Sequence, residues 1–154
     1  MANEKYEFVP GDEKVIAPGR TVKRIRALVA ISYFVAAGDI GGYIESEASL
    51  PVYGDAWVYG DAWVSGNARV YGDAWVYGRG LIVWFTGVGT GYGTLTVYNT
   101  KDNSIEVTRG CFRGSIDEFL AASESKHDET TQLEYRMLIE VAYSRITRAQ
   151  TTKE

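Results

Sequence analysis

The sequence predicts a mainly β fold: a short coil of parallel strands, with an N-terminal β cap before it and a C-terminal β-hairpin and two helices after it. Three observations predict it. A six-residue unit repeats in tandem over residues 53–76, as Tyr53-Gly-Asp-Ala-Trp-Val58, Tyr59-Gly-Asp-Ala-Trp-Val64, Ser65-Gly-Asn-Ala-Arg-Val70 and Tyr71-Gly-Asp-Ala-Trp-Val76. Turn residues at 99–104 separate two runs rich in β-branched side chains. Ser115-Ile-Asp-Glu118 and Thr131-Gln-Leu-Glu134 carry the spacing of helix capping boxes. The boundaries that follow are a cap over residues 1–40, the array over 41–82, a β segment with a hairpin over 83–113, a helical module over 114–148 and a tail over 149–154.

Within the cap, residues 1–20 are polar and marked by Pro10-Gly11 and Pro18-Gly19, so one short strand near residues 6–9 is the most they offer. Residues 21–33 hold Val22, Ile25, Val29 and Ile31 and predict a strand covering the open edge of the first coil. Residues 38–42, with three glycines, read as a turn cluster leading into the array.

Six residues at about 3.3 Å each span roughly 20 Å, enough for one strand and a corner and too little for a strand and a helix. Alternation puts Ala56, Ala62, Ala68, Ala74 and the column Val52, Val58, Val64, Val70, Val76 on one face, and Asp/Asn, Trp/Arg and Tyr/Ser on the other. Glycine every sixth residue, at Gly54, Gly60, Gly66, Gly72 and Gly78, predicts a corner with positive φ or a tight backbone approach there. One such strand cannot bury its own apolar face, so successive strands coil as sides of a prism filled by Ala and Val.

The array resembles the hexapeptide repeat of left-handed parallel β-helices. That resemblance implies a three-sided coil of about eighteen residues, in which Trp57 stacks on Trp75, Tyr53 on Tyr71, Tyr59 on Tyr77 and Asp55 on Asp73. Ile44 and Leu50 extend the small-residue column with larger groups, as expected where a cap begins.

Beyond the array, residues 82–85 are apolar and residues 87–93 form a glycine-rich loop. The loop lacks the Gly-Lys-Ser/Thr ending of a P-loop and precedes a strand rather than a helix, so it reads as a flexible connector. Residues 94–98 and 105–108 predict a hairpin. A short helix follows Ser115 through Phe119, Leu120 and Ala122, and a second follows Thr131 with Leu133, Met137, Leu138, Val141, Ala142 and Ile146 along one side, packed on the sheet or on a neighbouring subunit. Arg24-Ile-Arg-Ala-Leu28, Ala37-Gly-Asp-Ile-Gly-Gly-Tyr-Ile-Glu45 and the block from Gly93 to Gly114 are similar to segments of short phage and prophage hexapeptide-repeat proteins, a resemblance covering residues 21–148.

Composition bounds the function. The chain has 154 residues, 45% hydrophobic and 23% charged, with net charge −4, which gives no general nucleic-acid footprint. No apolar run of about 18 residues predicts a membrane span, and the start Met-Ala-Asn-Glu-Lys lacks a secretory core, so a cytoplasmic location in an infected bacterial host is expected. Cys111 and His127 are single, which excludes an intrachain disulfide and a Cys-rich metal site. Neither a metal nor a cofactor is expected.

The best-known enzymes of the β-helix resemblance are trimeric acyltransferases with a histidine base at the subunit junction. Residues 21–126 hold no histidine; His127, beside Lys126 and Asp128, reads as a cap or a solvent-facing residue, and Cys111 as a small core residue. Asp55, Asp61 and Asp73 read as turn carboxylates. The outward aromatics remain conspicuous: Trp57, Trp63, Trp75, Tyr53, Tyr59, Tyr71 and Tyr77 would make an apolar patch larger than a monomer usually exposes. Sister subunits of a homotrimer are the leading cover, and the terminal modules folding back are the alternative. The expected binding residues are Arg24, Arg26 and Arg69 for an anion, with Trp57, Trp63, Trp75 and Tyr59 as stacking surfaces. Arg20, Lys23, Arg24 and Arg26 also read as an ordinary solvated strand face. These features predict a non-enzymatic, phage-encoded trimeric binding protein that antagonises a host defence, either by sequestering a nucleotide signal or another small anion or by blocking a defence protein. An acyltransferase, active or degenerate, and a structural or assembly phage protein are the alternatives.

Overall fold

A computed structural model of the chain describes residues 3–151, and shows a mainly β protein with two helices and several sheets, none of them closed. The first two residues of the expected cap and the last three of the expected tail lie outside the described residues. The chain forms two compact units, Met1–Arg79 and Gly80–Glu154.

In the first unit, β1 (Tyr6–Ala17) and β2 (Arg20–Ala27) form an antiparallel hairpin. β1 is longer than the short strand expected, because the register shift between Phe8 and Glu13 absorbs Pro10-Gly11 as an irregularity instead of ending the strand there. β2 stops at Ala27 rather than running to Tyr33. Ala27 N–H donates to Asp39 O and Ala27 O accepts from Gly38 N–H, which closes an excursion whose tip is held by the Ile31–Val35 bridge. β3 (Ile40–Ile44) then pairs antiparallel with β2, so the expected turn cluster is partly strand. Gly41 and Gly42 sit in β3 because nothing larger fits: a Cβ on Gly41 would lie 2.7 Å from both Ile25 and Trp57.

The array supplies β4 (Trp57–Val58), β5 (Trp63–Val64) and β6 (Trp75–Val76). β4 pairs parallel with β6 in the register Trp57↔Trp75 and Val58↔Val76, three repeats apart, and β5 pairs parallel with β3 as Tyr43↔Trp63 and Ile44↔Val64. The Ala column at 56, 62, 68 and 74, the Val column at 58, 64, 70 and 76, and Ile44 and Leu50 are all wholly buried. Val52 departs from its column at 42% exposed, because the backbone bends over residues 52–55 instead of extending. Gly54, Gly60, Gly66 and Gly72 turn the corners at φ between 57° and 81°, a region in which any side chain is strained, whereas Gly78, expected to match them, has neither a positive φ nor a close neighbour, because the array ends there in a short 3-10 turn.

The Trp column does not stand open. Trp57 is 1% exposed, with Tyr6 edge-on at 6.3 Å; Trp75 is 8% exposed, with Phe34 at 5.5 Å and Tyr59 at 5.1 Å. The lead-in thus folds back over the array face. Lys5 and Tyr6 fasten it: Lys5 Nζ donates to Pro51 O and Ala56 O, and the Tyr6 hydroxyl donates to Leu50 O.

The second unit is an antiparallel sheet in the order β10-β9-β8-β7, made of β7 (Ile82–Val88), β8 (Gly93–Asn99), β9 (Ile105–Arg109) and β10 (Phe112–Ser115), followed by α1 (Ile116–Lys126) and α2 (Glu129–Thr151). The expected hairpin is β8–β9, paired from Leu95↔Arg109 to Asn99↔Ile105. Ser115 closes its capping box, accepting from Glu118 N–H at 3.1 Å while Glu118 accepts from Ser115 N–H at 2.8 Å. α2 starts earlier than Thr131: the Asp128 carboxylate accepts from Thr131 N–H at 2.9 Å, and Glu134 accepts from Gly89 N–H instead of closing a box. Its buried face is Thr131, Tyr135, Ile139, Ala142 and Ile146, whereas Leu133, Met137 and Val141 of the expected stripe are exposed. The buried positions 135, 139, 142 and 146 themselves follow helical spacing, so the inward face is offset from the expected stripe by about one residue and shares only Ala142 and Ile146 with it.

Candidate functional site

The array-face residues singled out from the sequence all lie in the first unit. Arg24 is drawn into the fold: Nε donates to Asp12, Nη1 to Gly41 O and Gly60 O, Nη2 to the Tyr43 hydroxyl, and the guanidinium lies 4.2 Å over the Tyr43 ring. Arg26 donates twice to one Glu7 oxygen, at 2.8 and 2.6 Å, and Arg69 donates to Ala48 O. Arg20 makes a two-pronged pair with Glu45 that holds the Glu45 carboxyl below its ordinary range. The three arginines before the array, Arg20, Arg24 and Arg26, are therefore each matched with protein acceptors, while Lys23 lies 5.4 Å over the Phe8 ring.

Among the aromatics, Trp57 and Trp75 are buried within the unit, Trp63 is half-exposed with Arg79 4.9 Å over its ring, and Tyr59 packs on Trp75 and on Tyr77. Burial pushes the Tyr59 hydroxyl above its ordinary pKa. Tyr53 stays 73% exposed, and on the lead-in Tyr33 and Phe34 project outward.

A second location comes from residues that sequence reading weighed singly. In the second unit, a cleft of about 270 Å³ is lined by β9, β10 and both helices, and it brings Cys111 and His127 together. Cys111 is exposed rather than packed in the core, because Gly110-Cys111 forms the tight β9–β10 turn, with Gly110 at φ 58°. His127 is the C-cap of α1, its N–H donating to Ser123 O at 2.9 Å, with its ring 5.6 Å from Tyr135.

Arg109 and Tyr135 form the deep wall. Arg109 Nε donates to the Tyr135 hydroxyl at 3.1 Å and Nη2 to Val88 O at 3.2 Å. The glycine-rich loop is fitted to this pair: a Cβ on Gly89 would collide with the Tyr135 hydroxyl, and one on Gly93 would lie 2.5 Å from Arg109 Nη1. The loop is thus the packed β7–β8 turn, not a loose connector. Phe112, Phe119 and Tyr135 stack edge to face at 5.4 and 5.0 Å along the apolar side. Ser123, 4% exposed, lines the same cleft with its hydroxyl oxygen lacking any hydrogen-bond partner. No spacing in the sequence marks this cleft, since its residues come from strands, turns and two helices.

The chain matches no family model, no curated protein and no solved structure.

Proposed function

We propose that the chain is a non-enzymatic, phage-encoded binding protein, built on a short left-handed β-helix and assembled as a homotrimer. It acts in the cytoplasm of an infected host, where it antagonises a defence by blocking a defence protein or sequestering a nucleotide signal. The coil is supported by the parallel register of Trp57 with Trp75 three repeats on, by the wholly buried Ala and Val columns and by the positive-φ corners. The phage setting is supported by the lead-in and C-terminal segments that resemble phage hexapeptide-repeat proteins.

The observation that carries the assembly is the α2 stripe of Leu133, Met137 and Val141, each about half-exposed and spaced four residues apart on one helix face. Packed around a three-fold axis, three copies of such a stripe would shield one another from water. Because the lead-in already covers Trp57 and Trp75, and Arg24 and Arg26 are held by protein acceptors, this helix takes over the contact first assigned to the aromatic ladders.

Light scattering on the purified chain tests the assembly: a trimer mass is expected, and Met137→Glu, at a site 58% exposed, yields a folded monomer. A monomer mass for the unaltered chain removes the trimer. Plaque counts on hosts carrying defined defence systems test the antagonism, which is abandoned if expression of the chain protects phage in none of them.

A further inference from the structure

We infer that the cleft of the second unit is a binding site for a small organic anion, a carboxylate or phosphate monoester carried on a compact aromatic body. The inference stands on the second unit alone and is independent of the array and of the assembly.

Charge selects the anion. Arg109, Lys126 and His127 line the cleft, and among the described residues no carboxylate does. The Arg109 guanidinium is half-buried and committed to neutral acceptors, the Tyr135 hydroxyl and Val88 O, so its positive charge is uncompensated by any ion pair among the described residues. A partly desolvated cation without a counter-charge attracts an anion more strongly than an exposed lysine does. The Ser123 hydroxyl adds a second and independent sign. A buried hydroxyl without a partner is destabilising, and a ligand oxygen that completes it recovers that bond. Lying one helical turn before His127, it is placed to donate to an oxygen that also faces Lys126 and the imidazole.

Shape selects the body that carries the anion. At about 270 Å³ the space is at the small end of ligand sites, below what drug-sized molecules occupy. Phe112 and Phe119 offer an apolar wall to a single ring. The site is also preformed: the glycines at 89 and 93 let the turn close onto Tyr135 and Arg109, so the deep wall is fixed before any ligand arrives.

Cys111, the one thiol of the chain, is exposed on the same cleft and reports occupancy without any label. Alkylation of the full chain by iodoacetamide is followed by mass spectrometry with benzoate, phenyl phosphate or neutral benzamide at equal millimolar concentration. Expected is a rate that falls and saturates as one of the two anions is added, while benzamide leaves it unchanged. Which anion protects identifies carboxylate or phosphate as the recognised group. Lys126→Gln weakens protection by about two- to fivefold, the worth of one partly screened charge contact. Ser123→Ala weakens it too, while the melting temperature without ligand stays level or rises, since the substitution removes an unpartnered hydroxyl. The inference is overturned by no protection from either anion, by equal protection from benzamide, or by protection undiminished in Lys126→Gln. That last variant alters an exposed side chain and keeps the test decisive should Ser123→Ala fail to fold.

Discussion

Lys5 is a buried ammonium, 3% exposed, and its removal from water lowers its pKa from 10.5 to about 8, with Asp55 opposing part of that shift. The folded chain therefore holds this proton more weakly than the unfolded chain does. Between about pH 8 and pH 10.5 the unfolded state binds more protons, so stability rises with pH across that window, and the burial penalty is fully present below it. At about 1.4 kcal/mol per pH unit the whole window is worth at most about 3 kcal/mol, and about 2 kcal/mol of it falls between pH 7 and 9.5. Residual structure in the unfolded chain, which keeps part of this burial, reduces the figure to about 1–2 kcal/mol. Urea unfolding of the first unit, followed by tryptophan fluorescence, should move its midpoint up by about 1 M from pH 7 to 9.5 at constant slope. Stopping there avoids Tyr6: burial raises its hydroxyl above 10, so the unfolded chain ionises first and stability falls again at higher pH. Lys5→Met should flatten the profile while leaving Pro51 O and Ala56 O without their donor. A midpoint that is level or falling in the unaltered chain, or a rise that persists in Lys5→Met, would refute the reasoning.

Three further outcomes are expected. Val64→Asp puts a carboxylate among wholly buried Ala and Val side chains and should cost more than about 3 kcal/mol, so an unchanged melting curve would show that the interior is wrongly placed. Arg24→Glu should destabilise the first unit by about 2 kcal/mol, since it strips donors from Gly41 O and Tyr43 and repels Asp12, while Arg26→Glu loses one exposed pair and costs less than about 1 kcal/mol; equal urea midpoints for the two variants would contradict this. Ser115→Ala removes the hydroxyl that accepts from Glu118 N–H, one of the two bonds of the α1 capping box, and should lower stability by about 1 kcal/mol, which circular dichroism at the helix band measures during denaturation.

What could be read from the sequence was what short range determines. The buried columns, the positive-φ corners, the β8–β9 hairpin and the Ser115 box each follow from residues within a few positions of one another. The start of α2 was misplaced because Asp128 and Thr131 are both good capping residues, and only the folded chain shows that Asp128 accepts from Thr131. The cover over Trp57 is not legible in the sequence, because nothing local marks Lys5 and Tyr6, whose partners lie 44 to 51 residues on. Arg24 was legible as a cation but not as a strut, since its acceptors at Gly41 and Gly60 are distant in sequence. The cleft of the second unit escaped for the same reason: Arg109 comes from a strand, Ser123 from one helix and Tyr135 from another, and no spacing pattern joins them.

The lead-in that lies over the array also acts as a ruler. Tyr-Gly-Asp-Ala-Trp-Val stands in tandem copies, and β4 pairs with β6 three repeats on, so three inserted copies would offer that same pairing again. They would not be neutral. Tyr6 reaches as far as Leu50 and Trp57, and Phe34 reaches Trp75, so an extra set of rungs between them would bring tryptophans that no lead-in residue covers. Deleting repeats would leave Tyr6 or Phe34 with nothing to sit on. The number of repeats is thus matched to the length of a segment that contains none, and a lineage whose array grew would have to lengthen the excursion at residues 28–39 or accept an exposed aromatic surface that draws chains together.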